Sequence, residues 1–543
     1  METDVVPVPT DVAGRRPITI ATVAAAIAIL AVSLAVRCHD LSTRNLWTDE
    51  YLSLECSSGW GRTDLRVEDA HAVAPDLVGL SNARPWGEIW PSMARDENHP
   101  PGYALLLRAW RTCFGDGVVA VRSLSVAASV LGVAMTMAAG FELGGPACGL
   151  WAGLIVALAS PRIREAQDAR AYMPVAAVAA TALWLLARTA RHGPNVRRTV
   201  ALGLALAVLP MLHYMALATV GAAVLFAAIA LRGPARLATL GAAAAALAAF
   251  TVAWGPDMIV QHARMLTATQ WLADLPGPTG PWAAMADFAA APIRLLVDPA
   301  TQLTAGLAAG GGVALLVPLL ALPAMARSGR WRVVLLWLWV AVPLLTALAI
   351  DLSTHRRSLL YAKYTLVGGP AVSLMGGLLA ASGRRLGWVP AAAVVAAALM
   401  CLPAVYDSME PDWRPLAQYA LAHTAPTDPV VLVADDRPGK PADDVTGERL
   451  VALSYWLRGA DHRDLYVLRA GEPATGPGLE ALRRANHICL CATGFSPQVS
   501  RCFPSLRIDH GELFPGLGLI GTADRPSVAA AKFAGAGRGD RAR

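Results

Sequence analysis

The stretch TVALGLALAVLPMLHYMALATVGAAVLFAAIAL, Thr199–Leu231, runs for 33 residues without one Asp, Glu, Lys or Arg. As a single helix it would be about 50 Å long at 1.5 Å per residue. That exceeds the ~30 Å of a bilayer core and falls a little short of two full crossings. Pro210, His213 and Tyr214 sit near its middle. The stretch therefore reads as a hairpin of two short spans with His213-Tyr214 at its tip.

Outward from this hairpin, the charge-free runs are Pro17–Val36, Ser123–Phe141, Leu143–Pro161, Ala171–Ala187, Leu237–Pro256, Pro299–Ala326, Val333–Ile350, Tyr364–Gly383 and Leu386–Tyr406. Each is about one crossing long. With the hairpin they make about eleven transmembrane helices. Composition agrees: 55% of the 543 residues are hydrophobic and only 16% charged, against about 25% charged in soluble domains. Mean hydropathy is +0.45. A soluble globular enzyme, a disordered chain and a disulfide scaffold are all excluded.

Basic residues give the orientation. With the N-terminus (1–16) in the cytoplasm, thirteen arginines share that side: Arg15, Arg16, Arg188, Arg191, Arg197, Arg198, Arg232, Arg236, Arg327, Arg330, Arg332, Arg384 and Arg385. They do so only if Thr199–Leu231 crosses twice, and the positive-inside bias then fixes the topology. Arg15-Arg16 before an apolar run resembles a signal peptide, but Arg37 precedes Cys38 and no small-x-small site appears. An uncleaved first span is expected. The net charge of +6 is thus topological, with no basic patch suited to nucleic acid.

The transmembrane region, 17–406, carries a large first outer loop at 38–121. A further outer loop lies at Asp257–Asp298. Within the first loop, Ala104–Trp110 reads as a short interfacial helix with Arg108 on one face. The tail from 407 to 525 alternates strands (Pro429–Val433, Asp464–Leu468, Asn486–Cys491) with helices (Gly447–Arg458, Gly478–Ala485), the pattern of a small extracytoplasmic α/β domain. Residues 526–543 read as disordered. Cys38, Cys56, Cys113, Cys489, Cys491 and Cys502 face the side where disulfides form, with no pairing legible. No Cys/His spacing marks a metal site.

Chemistry-bearing residues gather on the outer side. Asp49 and Glu50 are adjacent acids just after the first span. Asp96-Glu97-Asn98-His99-Pro100-Pro101 follows later in that loop. The second outer loop reads Arg162-Ile163-Arg164-Glu165-Ala166-Gln167-Asp168-Ala169-Arg170-Ala171-Tyr172. The late one contains Asp351, Arg356, Arg357, Lys363 and Tyr364. Six cations in two short outer loops break the positive-inside pattern locally. One reading is ion pairing with Glu165, Asp168 and Asp351. The other is a grip on a fixed anion such as a lipid phosphate, beside a carboxylate that serves as general base toward a hydroxyl. Arg122, at the outer start of the second span, reads as structural.

In this order the segments resemble the GT-C membrane glycosyltransferases of the protein-O-mannosyltransferase and aminoarabinose-transferase type. The matching elements are Trp47-x-Asp49-Glu50, His99-Pro100-Pro101-x-Tyr103, Gln167-x-x-Arg170-x-Tyr172, and Lys363-Tyr364 followed by Pro370, over about Pro17–Tyr406. The resemblance implies transfer of a sugar from a polyprenyl-phosphate carrier to an acceptor hydroxyl on the non-cytoplasmic face of the plasma membrane, with inversion at the sugar carbon. It casts Asp49 as general base and Glu50 as its partner. Arg170 and Tyr172 are expected to line the donor pocket with His99, His213 and Tyr214, and Gln167 or Asp168 to bond the sugar. Such proteins more commonly carry Arg-Tyr where this chain has Lys363-Tyr364, so a two-pronged phosphate grip is expected from Arg356 or Arg357. Some members use a divalent metal and others none; no cofactor follows from the residues. The acceptor, whether protein, lipid or glycan, is not legible. The competing class, a transporter or flippase for lipid-linked sugars, tends to place charges at mid-span or to repeat internally, and this chain does neither.

Overall fold

The computed structural model describes residues 18–64, 66–68, 71–73, 77–275, 277–297, 317, 319–323, 329–383, 385–406, 413–423, 425, 427–434, 442–457, 465–469, 480, 482, 484, 487–492, 507–514 and 518–524. The chain divides into two compact units, one of Met1–Arg44 with Met93–Ser408, the other of Asn45–Ser92 with Met409–Arg543. The protein is a polytopic helical membrane protein carrying a small α/β unit.

In the first unit, five helices are long and apolar enough to cross a membrane: Ile20–Cys38, Val118–Leu158, Tyr172–His192, Gly233–Ala268 and Arg330–Thr354. Shorter apolar helices follow at Tyr214–Ala230, Leu366–Ala380 and Val389–Met400. Val118–Leu158 is two arms, because Gly145 takes φ 78° and Pro146 opens the second arm. Only glycine adopts that φ without strain, and proline fits the first turn of a helix. The arms fold back so tightly that a Cβ on Gly140 would stand 2.6 Å from the Gly149 Cα.

The 33-residue run also divides as expected. Val196–Leu212 ends at His213 (φ −164°, ψ 134°), a 3₁₀ turn takes Tyr214–Ala216, and Leu217–Ala230 returns. Ten of the eleven expected crossings thus have a helix among the described residues. The other, Pro299–Ala326, lies mostly outside them, as do residues 1–16, Arg327, Arg384 and the 526–543 tail.

Tyr172–His192 is the central helix, with 72% of its apolar window buried, whereas Ile20–Cys38 buries 17% and turns most of its surface outward. Both pack on the Val118–Leu158 hairpin, as does Gly369–Ala380. Arg37 crosses this core fully buried. Its Nε donates to the Ser129 hydroxyl at 2.7 Å, and Nη1 to the carbonyls of Ser33 (3.0 Å) and Ala157 (2.7 Å). Arg122, equally buried, donates to the carbonyls of Leu41 (2.9 Å) and Arg44 (2.8 Å), the structural role expected of it.

Two stretches differ from the sequence reading. The region taken as an outer loop from Asp257 continues as helix to Ala268, and a further helix spans Pro281–Arg294. Charges end a hydrophobic run without ending a helix, and the helix also accommodates Pro256. The amphipathic segment at Ala104–Trp110 is longer than two turns, running from Gly102 to Phe114, with Arg108 buried beneath it.

The second unit joins sequences more than three hundred residues apart. Its sheet contains parallel strands Val430–Ala434, Leu465–Arg469 and His487–Ala492, close to the expected positions, with Val430–Ala434 in the middle. Val430, Leu432, Leu465, Val467 and Cys489 are buried together with Leu450, Leu453 and Leu457 of the helix Ala442–Leu457. Arg507–Phe514 and Gly518–Asp524 extend one edge antiparallel. A hairpin from the first loop, Arg66–Glu68 with His71–Val73, extends the other by pairing with Leu465 and Tyr466. The helix Thr48–Ser57 packs on Ala442–Leu457, where Tyr51 accepts a 2.8 Å hydrogen bond from Trp456 and meets Tyr455 edge to face. The Gly478–Ala485 segment is described only at residues 480, 482 and 484. Cys38, Cys113, Cys148 and Cys489 are free thiols.

Candidate active site

The first unit gathers polar residues from four separated segments. The helix Ser160–Ala166 ends in a short turn that presents Gln167, Asp168 and Arg170 before Tyr172 begins the next helix. Arg170 Nη2 lies 3.4 Å from His99 Nε2. The His99 ring is 5.1 Å from that of His213, and His213 is 5.6 Å from Tyr172. Tyr172 in turn meets Tyr364 edge to face at 6.5 Å. Hence His99, Arg170, Tyr172, His213 and Tyr364, singled out from sequence, are brought together.

Lys363 completes the cluster. The segment before the late helix Gly369–Ala380 descends in three 3₁₀ turns, Ser358–Leu360, Ala362–Tyr364 and Leu366–Gly368. Irregular backbone of this kind in a membrane protein is tolerated where it is enclosed by protein or lines a cavity. The Lys363 ammonium lies between 5.5 and 5.9 Å from the ring centres of Tyr172, Trp271, Tyr361 and Tyr364. These π faces hold a cation electrostatically without neutralising it.

His213 is the neutral donor of the set. Its Nδ1 accepts the Met215 backbone N–H at 3.2 Å, which assigns the proton to Nε2. Nε2 is buried and has no hydrogen-bond partner among the described residues. Burial first, then the charges of Arg170 and Lys363, lower the imidazole to about 4. At neutral pH it offers one N–H and no charge.

Several anticipated residues serve as scaffold. Gln167 is fully buried and donates to the carbonyls of Arg37 (3.3 Å) and His39 (2.6 Å), pinning the end of the first helix. Asp168 pairs with Arg44 at 3.1 Å, both largely shielded. Arg357 donates through Nε and Nη2 to Asp287, each at 3.1 Å, and Arg294 holds the other oxygen of the same carboxylate at 3.1 Å. Arg356 donates to the carbonyls of Thr269, Thr354 and Leu266. Asp351 accepts from Ser358 and Leu359 and shapes the start of the 3₁₀ staircase. These bonds of Arg356 and Arg357 brace the loops.

Two contributors, Gln261 and Arg264, were not foreseen, and the anticipated Tyr214 is bound up with the first of them. Tyr214 receives a 2.6 Å hydrogen bond from Trp254 and donates to Gln261, which reaches the Met93 carbonyl at 2.8 Å. Arg264 donates to the carbonyls of Ala94, Arg95 and Glu97. Together they hold the segment leading to His99. They were missed because this stretch was read as loop, although a Gln and an Arg at i and i+3 of one helix share a face.

In the second unit, Asp49 and Glu50 occupy the first turn of the helix Thr48–Ser57. Glu50 is buried and accepts the Trp47 backbone N–H at 3.3 Å, a reach back across the helix start that satisfies an otherwise orphaned donor. Asp49 is half-buried, and its carbonyl accepts from the Ser53 hydroxyl at 2.9 Å. The two acids thus differ in surroundings. Among the described residues, no group of three His, Cys, Asp or Glu is gathered as a metal-ligand set.

No family model and no curated protein matches the chain. Solved structures do. An Archaeoglobus fulgidus oligosaccharyltransferase tethered to an acceptor peptide is 10% identical over 80% of this chain, with a TM-score of 0.45, and the match spans 63% of that protein's length. ArnT from Cupriavidus metallidurans is 14% identical over 94% of this chain and all of its own, at 0.43. The mycobacterial arabinofuranosyltransferase AftD is 15% identical over 94% of this chain and 42% of its own, at 0.40. The chain is similar to these proteins at a level where its own residues must carry the functional reading.

Proposed function

We propose that the protein is a membrane glycosyltransferase that moves a sugar from a polyprenyl-phosphate-linked donor to an acceptor hydroxyl on the non-cytoplasmic face of the plasma membrane. The observation that carries this reading is the convergence of Arg170, His99, His213, Tyr172, Lys363 and Tyr364 in the first unit. Two cations and a neutral N–H donor with aromatic walls suit a sugar phosphate. A lipid-linked donor stays in the bilayer, so its phosphate must be met at the boundary where these loops lie. Cations that neutralise the departing phosphate lower the barrier most, because charge develops there as the bond to the sugar breaks.

Lys363 and Arg170 take the phosphate in this reading, and Asp49 removes the acceptor's proton. Glu50 shapes the helix start that presents Asp49. Direct displacement then inverts the sugar carbon. The N-terminus lies in the cytoplasm and the second unit outside it.

The test is incubation of the purified protein, in lipid, with a panel of polyprenyl-phosphate sugars and candidate acceptors, following donor consumption by mass spectrometry. Consumption that disappears in Arg170→Ala and Asp49→Asn supports the reading. Failure of the wild-type protein to consume any donor of the panel overturns it.

A further inference from the structure

The short helix Ser160–Ala166 packs against the Ala362–Tyr364 turn that carries Lys363. It brings to that turn a carboxyl group with no role so far. Glu165 is 8% exposed, and its Oε2 is buried without a hydrogen-bond partner among the described residues. The charges acting on it are Asp168 from the next turn, Lys363 from the facing segment, Arg164 from its own helix and Arg44 from beyond the first helix. Of the other elements packed on this helix, Val118–Leu158 contributes Arg122, which is turned to the Leu41 and Arg44 carbonyls, Ile20–Cys38 contributes Arg37, which is turned to Ser129 and Ala157, Tyr172–His192 contributes Tyr172, and Leu402–Tyr406 contributes Tyr406. Tyr406 donates to the Val36 carbonyl.

We propose that Glu165 gives its proton to the phosphate that leaves the sugar, with Lys363 beside it holding that phosphate. The proposal rests on the transfer reading above. The acceptor oxygen bonds to the sugar carbon and releases its proton to Asp49. The carbon–oxygen bond to the phosphate breaks, and its electron pair stays on the phosphate oxygen. The Glu165 O–H proton moves to that phosphate, so polyprenyl phosphate departs as a monoanion. Glu165, left as carboxylate, regains a proton from water before the next turnover, and Asp49 returns its own to water. Lys363 stays an ammonium throughout, so protonating the product also weakens its hold and eases release.

The environment supports an acid that is loaded at rest. Taking a carboxylate out of water is costly unless it is fully paired. Burial, followed by the neighbouring Asp168, pushes the Glu165 carboxyl up to about 8 despite the nearby cations. A proton donor with that value is matched to work near neutral pH.

The experiment uses the full chain in lipid with a donor that the wild-type protein consumes. The readouts are kcat and donor KM from pH 6 to 10 for the wild type, Glu165→Gln and Glu165→Asp, with melting temperatures for all three. The wild type is expected to lose kcat above about pH 8. Glu165→Gln is expected to lower kcat by about 100-fold, to lose that alkaline limb, and to leave donor KM and melting temperature near wild type. Glu165→Asp keeps the limb. Wild-type kcat and an unchanged limb in Glu165→Gln overturn the proposal while leaving the transfer reading intact. Should Glu165→Gln fail to fold, a wild-type profile without the limb overturns it equally. A wild-type chain that consumes no donor removes the transfer reading and this inference together.

Discussion

Arg170 and His99 meet side chain to side chain at 3.4 Å although 71 residues separate them. The pair joins the loop before the central helix to the segment that the Gly233–Ala268 helix clamps through Gln261 and Arg264. Arg170→Ala removes both a cation and the anchor of His99. We expect donor affinity to fall by about 10- to 100-fold, the value of a charge-assisted hydrogen bond, measured as donor KM or as binding of polyprenyl phosphate. Arg264→Ala, which leaves Arg170 in place, is expected to give a smaller loss of the same sign.

The acids of the first helical turn in the second unit should separate by phenotype. Asp49→Asn is expected to reduce turnover by roughly 10²- to 10⁴-fold at unchanged melting temperature. Glu50→Ala removes the acceptor for the Trp47 N–H and should cost about 0.5–2 kcal/mol of stability. Thermal melts beside single-turnover rates check both. Full turnover in Asp49→Asn removes the proton-acceptor role.

Lys363 is a test of charge geometry. Lys363→Met deletes the ammonium amid four aromatic rings, and donor KM should rise. Lys363→Arg keeps the charge but replaces a compact point cation with a larger planar fork in a space now filled by an ammonium among four rings. We expect it to recover less than half of the lost affinity, measured by the same donor titration.

His213 predicts how the protein responds to acid. Its folded value of about 4 lies below the 6.5 of a free imidazole, so the unfolded chain binds the extra proton. The stabilisation is fully present above about pH 6.5 and is lost as pH falls toward 4. The wild-type melting temperature should therefore drop between pH 7.5 and 4.5. His213→Gln, which has no proton to gain, should show a smaller drop. An identical drop in the two proteins refutes the assignment.

Gly140 tests the hairpin. Gly140→Ala places a methyl 2.6 Å from the Gly149 Cα, where backbone must move, and should cost about 1–3 kcal/mol. Gly241→Ala, on a helix with nothing within 4 Å of the new Cβ, is the control and should be neutral or mildly stabilising. Detergent melts of the two variants decide it.

Much of the helical layout was legible because hydrocarbon thickness fixes the length of an apolar run. The hairpin of Thr199–Leu231 was the clearest case: length, Pro210 and flanking arginines all required the turn found at His213. The continuation past Pro256 was illegible, since polar residues on an emerging helix look like a loop to a charge count. Of the site, Arg170, Tyr172 and His99 were readable as polar residues in the outer loops. The scaffolding of Arg357 was not, because its counter-ion Asp287 lies 70 residues away in a helix that the apolar pattern did not reveal. Likewise, nothing in the run Thr48–Ser57 announces that its helix packs with Ala442–Leu457.

The strand pairing in the same unit constrains biogenesis. Residues 71 and 72 pair with Tyr466 and Leu465, so the earlier segment leaves the ribosome nearly four hundred codons before its companion. At about 5–20 residues per second, it waits roughly 20–80 s, while the intervening helices enter the bilayer, before its edge is covered. During that interval the nascent hairpin is an unclosed strand edge of the kind that chaperones bind. Truncations near the carboxyl end should therefore be cleared as misassembled precursors, and any loss of sugar transfer in them should be judged against surviving protein.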